Sequence, residues 1–156
     1  GDQIEGAFVW DLFAGTGALG FEALSRGAQR AIFAERHFPT ADCLRRSSRE
    51  LGLVDRVDVM PGDVLLWSRR MPPLSVDSPW IIFISPPWNF FHARLEEINS
   101  LLKALAAIAP DNSRLIVESD DQMPIDSLPA RFGFSETEES WDTRAMVPAI
   151  LHQKRL

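Results

Sequence analysis

A glycine-rich turn placed directly after a short apolar run restricts the fold of this chain most strongly. The run is residues 8–12, and it is followed by Gly15, Gly17 and Gly20 before a helical stretch that reaches about Arg26. Glycine lets the backbone adopt left-handed angles and approach a ligand with no Cβ in the way. Strand, glycine turn and helix in this order are typical of α/β proteins, whose ligands bind at the carboxyl edge of the sheet.

The alternation of apolar runs and helical stretches continues along the chain and predicts βαβ units with a mostly parallel sheet. Gly27 and Gly52 suit the ends of two helices, Pro39 suits the first turn of the second helix, and Pro110 ends a third. Further strands are predicted at residues 31–35, 57–60, 80–84 and 115–117, with a final hairpin from residues 134–141 and 144–151.

Size, charge and cysteine content narrow the class of protein. With 156 residues and 17.5 kDa, we expect one domain spanning residues 1–156. The single cysteine, Cys43, excludes an intramolecular disulfide and favours a reducing compartment, so we expect a cytoplasmic protein. The apolar stretch 101–109 is too short to span a membrane. The net charge of −6 argues against a nonspecific nucleic-acid coat, and the histidines show no metal-ligand spacing, so no metal is expected.

The glycine turn could belong to one of three known types of ligand-binding loop. Gly15 and Gly20 have the spacing of a P-loop, but Phe21 and Glu22 stand where lysine and serine or threonine are needed, which excludes an NTPase. The three glycines also match a dinucleotide fingerprint. A nicotinamide dinucleotide and S-adenosylmethionine therefore both remain candidate cofactors at this point.

Asp11 helps to separate the two cofactors because it lies four residues before the first glycine. A carboxylate at the end of the first strand would repel a pyrophosphate and attract the α-amino group of a methionine moiety. Glu35, at the end of the second strand, can accept hydrogen bonds from both ribose hydroxyls, and Asp63 can accept from an adenine amino group. The alternatives are that Asp11 caps the turn, that Glu35 is a solvated acid beside Arg36, and that Asp63 caps a helix.

A proline-rich loop follows the fourth predicted strand, across the expected cleft. In Ser85-Pro86-Pro87-Trp88 two prolines remove backbone donors, so the Ser85 hydroxyl and the Pro86 carbonyl are close acceptors, and Trp88 offers a face for stacking a base. Methylation of an exocyclic amine needs such acceptors to orient the N–H groups. The alternative is a structural turn with a core tryptophan.

Residues 11–28, DLFAGTGALGFEALSRGA, resemble the RsmD-like family of bacterial 16S rRNA guanine-N2 methyltransferases, as do Leu44-Arg45-Arg46, Leu51-Gly52-Leu53, Gly62-Asp63-Val64 and Trp141-Asp142-Thr143-Arg144. The resemblance implies a Rossmann-like class I methyltransferase fold, with a seven-stranded mostly parallel sheet, helices on both faces and an antiparallel last strand. It implies S-adenosylmethionine as the cofactor and rRNA or the small ribosomal subunit as the partner. We expect a monomer.

The predicted site residues share positions at the ends of strands. The cofactor-binding set is Asp11, Phe13, Ala14, Gly15, Thr16, Gly17, Gly20, Glu35, Arg36, Asp63 and Val64, and the catalytic set is Ser85, Pro86, Pro87 and Trp88. By the resemblance, Asp11, Gly15 and Gly17 line the methionine side, Glu35 holds the ribose, Asp63 the adenine, and the loop 85–88 the target base.

The chain departs from the family pattern at three places. The family has Asp-Pro-Pro-Tyr where this chain has the loop 85–88, an asparagine where it has Ser47, and a basic N-terminal segment that we expect to be absent here. Ser-Pro-Pro-aromatic instead resembles the loop of cytosine-N4 DNA methyltransferases. The alternatives to guanine N2 are therefore a DNA or RNA amino-methyltransferase acting on cytosine N4 or adenine N6, an NAD-binding oxidoreductase, and a non-catalytic protein that binds S-adenosylmethionine.

Overall fold

The computed structural model describes residues 4–69, 78–129, 141–146 and 149–156. The strands are β1 (Phe8–Asp11), β2 (Arg30–Glu35), β3 (Val57–Pro61), β4 (Trp80–Ile84), β5 (Arg114–Ser119), β6 (Asp142–Met146) and β7 (Ala149–Arg155). The helices are α1 (Ala18–Ser25), α2 (Phe38–Glu50), α3 (Phe90–Ala93) and α4 (Leu95–Ile108), with short 3-10 turns at Val54–Arg56, Val64–Ser68 and Ile125–Ser127.

All seven strands form one sheet in the order β3-β2-β1-β4-β5-β7-β6. Strands β1 to β5 pair in parallel, whereas β7 runs antiparallel to both β5 and β6. The chain reverses direction across the sheet between β3 and β4, so β1 lies between β2 and β4, and β4 is the central strand. The predicted fold class, a mostly parallel seven-stranded sheet with an antiparallel last strand, is confirmed.

Apolar side chains cover both faces of the sheet, as expected for parallel strands. One buried cluster contains Trp10 of β1 and Leu101 of α4, and the other contains Val9 of β1, Leu24 of α1 and Leu44 of α2. Neighbouring residues of β1 thus enter opposite clusters, since successive side chains of a strand point to opposite faces. Helices on both faces, the second part of the fold prediction, are confirmed.

Local sequence signals locate the helix ends. Gly27 and Gly52 have φ of +98° and +68°, and each is the second residue after its helix, α1 or α2, where a left-handed residue closes a helix. Pro39 lies in the first turn of α2, and α4 ends at Ile108, shortly before Pro110. Among the described residues, no helix combines the length and apolar character needed to cross a bilayer.

The boundaries of the final hairpin differ from the prediction. The predicted second strand, 144–151, runs across the end of β6 and the start of β7, and it is wrong as a single strand. β6 and β7 pair with each other in the antiparallel direction, so they are two separate strands. Of the predicted first strand, 134–141, residues 134–140 lie outside the described residues.

Candidate cofactor and amine site at the carboxyl edge of the sheet

The glycine turn joins β1 to α1 at the carboxyl edge of the sheet. Ala14 donates its N–H to the carbonyl of Ala34 at 3.1 Å, which ties the turn to β2. Gly15 and Gly17 have φ of +51° and +78°, and nothing lies within 4 Å of the place where a Cβ on Gly15 would stand. Open space beside a left-handed glycine lets a ligand approach the backbone closely. Thr16, between the two glycines, is exposed.

Gly17 and Gly20 have a different role because they allow α1 to pack closely on its neighbours. A Cβ on Gly17 would stand 2.6 Å from Leu44 Cδ2 of α2. A Cβ on Gly20 would collide with the ring of Phe33 in β2. The motif therefore combines one position open to a ligand, Gly15, with Gly17, which allows close packing on α2, and Gly20, which allows close packing on the sheet.

Asp11 ends β1 and is only 2% exposed. Its Oδ2 accepts the N–H of Gly20, the third residue of α1, at 3.1 Å, so the carboxylate caps the first turn of the helix. The sequence alternative was that Asp11 caps the glycine turn. Burial raises the pKa of Asp11 to about 7. The hydrogen bond from Gly20 lowers this pKa, and the charges of Glu35 and Glu118 raise it further. Its contact with a cofactor stays a prediction.

Glu35 ends β2 and holds the glycine turn in place. Its Oε2 accepts the N–H of Gly15 at 2.9 Å and its Oε1 accepts the N–H of His37 at 2.7 Å. Each oxygen keeps a lone pair for a further donor such as a hydroxyl. Arg36 is exposed, and its guanidinium lies 5.1 Å from the centre of the Phe90 ring. Both residues therefore flank the open side of the turn, where a ribose is predicted.

Asp63 follows β3 and is held from two sides. Its Oδ1 accepts the N–H of Leu65 at 3.0 Å, and its Oδ2 accepts from Arg94 Nη1 at 3.0 Å. Arg94 also forms two hydrogen bonds with Glu97, which raise the pKa of its guanidinium and keep it charged. The helix-capping alternative for Asp63 thus describes its local contacts, and binding of an adenine amino group stays a prediction. Val64, the next predicted residue, is buried.

Aromatic rings connect the glycine turn to the segment after β4. Phe13, a predicted cofactor-binding residue, is half-buried and meets Phe90 edge to face, with ring centres 6.4 Å apart. The Arg94 guanidinium also lies 5.1 Å from the centre of the Phe90 ring. Phe90 begins the short helix α3, so the residues after the proline loop form one wall of the site together with the turn after β1.

The loop 85–88 leaves β4 at the same edge of the sheet. Pro86 is buried, whereas Pro87 and Trp88 are exposed, Trp88 by 43%. The carbonyls of Pro87 and Trp88 accept the N–H groups of Phe90 and Phe91, at 2.8 and 3.1 Å. Among the described residues no hydrogen bond reaches the Pro86 carbonyl, and its role as an acceptor for the target amine stays a prediction.

Glu118 is a site residue that the sequence analysis missed. It lies near the end of β5, and its Oε2 accepts the hydroxyl proton of Ser85 at 2.6 Å. The predicted strand 115–117 stopped one residue before it. The usable signal was an acid directly after a buried apolar run, the same signal that identified Glu35. The tertiary structure thus adds a third carboxylate to Asp11 and Glu35.

The sheet register brings these carboxylates together on one face. Asp11 pairs with Phe33, two residues before Glu35, and with Phe83, two residues before Ser85. Residues two apart on a strand share a face, so Asp11, Glu35, Ser85 and its partner Glu118 all follow the same face at the carboxyl edge. Three carboxylates around an open glycine turn favour a cationic ligand and disfavour a pyrophosphate.

Comparison with known proteins adds a family and curated relatives. The chain matches the family described as Conserved hypothetical protein 95 over residues 1–145. It is 38% identical over 127 residues to YlbH of Bacillus subtilis, covering 80% of this chain and 66% of YlbH. It is 31% identical over 122 residues to Ribosomal RNA small subunit methyltransferase D of Haemophilus influenzae, covering 74% of this chain and 58% of that protein. The chain thus spans less than two thirds of the length of both relatives.

Solved structures share the fold. The crystal structure of HI0767 from Haemophilus influenzae matches with a TM-score of 0.74 at 22% identity, covering 97% of this chain and 88% of that chain. An RNA methyltransferase from Salinibacter ruber, solved in complex with S-adenosylhomocysteine, matches with a TM-score of 0.65 at 13% identity, covering 97% and 82%. At these identities the likeness establishes the architecture.

Proposed function

This chain belongs to the Conserved hypothetical protein 95 family, and we propose that it is an S-adenosylmethionine-dependent methyltransferase acting on an exocyclic amine of a nucleobase, guanine N2 of 16S rRNA. The membership confirms the resemblance to the RsmD-like methyltransferases. The named rRNA methyltransferase among its relatives supports rRNA, and with it the small ribosomal subunit, as the substrate. We propose that residues 1–156 act as one domain and as a monomer.

The observation that carries the proposal is the set of carboxylates around the glycine turn. Asp11 is almost fully buried, which is the main cause of its raised pKa, and the charges of Glu35 and Glu118 raise that pKa further. S-adenosylmethionine carries an ammonium and a sulfonium, so it would neutralise this cluster, whereas the pyrophosphate of NAD would add like charge. The open space beside Gly15 leaves room for the ligand next to the backbone. The residues present therefore fit the cofactor.

In the proposed arrangement each strand end contributes one contact to the cofactor. Asp11 faces its α-amino group, the two oxygens of Glu35 accept from the ribose hydroxyls, and Asp63 accepts from the adenine amino group. When bound, the cofactor supplies a methyl group on a sulfonium, which is a good leaving group.

The proline loop binds the base that receives the methyl group. Trp88, with 43% of its surface exposed, stacks on the base. The Pro86 carbonyl and the Ser85 Oγ accept the N–H groups of the target amine and so aim its lone pair. Because the Ser85 hydroxyl donates its proton to Glu118, the Oγ lone pairs remain free to accept the N–H groups of the amine. Positioning of this kind is a large part of catalysis when the leaving group is already activated.

Calorimetric titration tests the cofactor first. We expect S-adenosylhomocysteine to bind and NADH to give no signal. Glu35→Gln should weaken binding, whereas Asp55→Asn, which removes an exposed acid outside the site, should leave it unchanged. Binding of NADH, or of neither ligand, would contradict the proposal.

Methyl transfer then tests the substrate. We expect label from S-adenosylmethionine on unmodified 16S rRNA or on the small subunit, at guanine N2 after digestion to nucleosides. Label on cytosine N4 or adenine N6 would overturn the base assignment and keep the methyltransferase. Tight binding of S-adenosylhomocysteine with no transfer to RNA or DNA would indicate a non-catalytic binding protein.

A further inference from the structure

The contact between Ser85 and Glu118 is set by the register of the two central parallel strands. The register of β4 and β5 ends with the pair Ile84 and Val117. Ser85 and Glu118 are the next residues on their chains, so they leave the sheet side by side at its carboxyl edge. The Ser85 Oγ donates to Glu118 Oε2 at 2.6 Å, a short distance typical of a hydroxyl bonded to an ionised carboxylate.

In the part of the chain that the structure describes, Glu118 lacks a cationic partner that would account for its position. Within the described part of the chain, neither lysine nor arginine forms an ion pair with it, and its one hydrogen-bond donor is Ser85. The side chain is half-buried, and its charge contributes to the raised pKa of the buried Asp11, two strands away in the sheet. The hydrogen bond from Ser85 is favourable for Glu118, whereas the neighbouring carboxyl of Asp11 is not, since like charges repel.

We propose that Glu118 is the positioning residue of the methyl-transfer step: it holds Ser85 with its lone pairs toward the target amine and takes up the proton that the amine releases. The inference rests on the proposed function and deepens it, because serine alone carries no charge to stabilise an ammonium. Glu118 supplies that charge from β5 through a single hydrogen bond.

The step balances with the groups named. The amine nitrogen forms a bond to the methyl carbon, and the electron pair of the broken carbon–sulfur bond stays on sulfur. The nitrogen, now positively charged, passes a proton to the Ser85 Oγ while the hydroxyl proton of Ser85 passes to Glu118 Oε2. The Glu118 carboxyl later loses this proton to solvent. A base of this kind contributes about 10²- to 10⁴-fold to a rate.

Removal of the Glu118 charge is the first test. Glu118→Gln keeps the size of the side chain and an acceptor for Ser85. We expect kcat on 16S rRNA to fall by about 100-fold, with KM for the RNA and the affinity for S-adenosylhomocysteine both unchanged within about twofold. The matched control is Glu50→Gln, an exposed acid at the far end of α2, which should change none of the three quantities.

Relocation of the charge is the second test, and it separates chemistry from folding. Ser85→Asp puts a carboxylate on the loop itself, so in the double variant Ser85→Asp/Glu118→Gln we expect kcat to recover at least tenfold over Glu118→Gln alone. A residue that merely supports the loop would not be replaced in this way. The melting temperature of each variant, with and without S-adenosylhomocysteine, shows that it is folded and that it binds the cofactor product.

The outcomes distinguish the two proposals. If the wild-type chain methylates RNA and Glu118→Gln keeps kcat within about threefold, or if Ser85→Asp fails to restore kcat in a double variant that still binds S-adenosylhomocysteine, the role of Glu118 is overturned alone. If the wild-type chain transfers no methyl group, whether or not it binds S-adenosylhomocysteine, the proposed function and the role of Glu118 both fall.

Discussion

Replacement of the buried Asp11 by asparagine should stabilise the fold above neutral pH while weakening the cofactor site. The change keeps the size of the side chain and an oxygen that can accept the N–H of Gly20, and it removes the charge. Burial has raised the pKa of Asp11 from its ordinary 3.8 to about 7. At roughly 1.4 kcal/mol per pKa unit, ionising this carboxyl in the folded chain costs about 4 kcal/mol.

The pH range of the effect follows from those two pKa values. Between about pH 4 and pH 7 the folded chain holds a proton on Asp11 that the unfolded chain has released. The contribution of Asp11 to the free energy of unfolding of the wild type is therefore most favourable below pH 4. It falls as the pH rises toward 7 and stays low above pH 7. Asparagine does not titrate, so the free energy of unfolding of Asp11→Asn should rise relative to that of the wild type by about 2 to 3 kcal/mol between pH 5 and pH 8.

Thermal unfolding at the two pH values measures this difference directly. For a chain of this size, 1 kcal/mol of unfolding free energy corresponds to roughly 2–4 °C in melting temperature. The melting temperature of Asp11→Asn relative to wild type should therefore rise by about 5–10 °C between pH 5 and pH 8. Asp55→Asn, an exposed acid, should gain nothing. An Asp11→Asn variant whose melting temperature relative to wild type is the same at both pH values would refute the buried-charge argument.

Calorimetry on the same variant addresses the site. We expect Asp11→Asn to bind S-adenosylhomocysteine about 10-fold more weakly or worse, since a charge-assisted contact to the α-amino group is worth about 1.5–3 kcal/mol. Unchanged affinity in a variant that is more stable at pH 8 would leave Asp11 as a helix cap only.

Three further substitutions test other parts of the site. Glu35→Ala should weaken binding of S-adenosylhomocysteine by ~10- to 100-fold in calorimetry, because the ribose contacts are lost; unchanged affinity would remove Glu35 from the site. Trp88→Ala should lower turnover on rRNA and spare cofactor affinity, whereas an equal loss of both would mean that the ring packs and does not stack. Gly20→Ala should lower stability by about 1–3 kcal/mol in denaturant unfolding, because its Cβ meets the Phe33 ring, and full stability would contradict the close packing of α1.

Much of the fold was predictable because its signals are local. Apolar runs located five parallel strands, and the left-handed glycines that close α1 and α2 could be recognised from residue type alone. Strand ends were less predictable, since the last residues of a strand are polar and carry no periodic signal. The predicted strand 115–117 is Arg114–Ser119 in the structure, and the two residues omitted at its carboxyl end include Glu118.

The sequence also indicated the cofactor side of the site, because Asp11, the glycines and Glu35 lie within one βαβ unit. The sequence could not indicate which backbone groups these carboxylates bind within the protein. Asp11 caps α1 through Gly20, and Glu35 accepts two backbone N–H groups around the turn. These bonds depend on how closely the turn folds back on the ends of β1 and β2.

By itself, then, the sequence determined the alternation of strands and helices, the glycine turn and the proline loop, since each depends on residues adjacent in the chain. Only the tertiary structure decided that Glu118 meets Ser85, 33 residues away, and that Arg94 binds Asp63, 31 residues away. The first pair forms because strand order and register place the ends of β4 and β5 side by side, and the second joins the segment after β3 to the residue before α4. Strand order is fixed by the packing of both apolar faces at once, a property of the whole sheet that no single segment carries.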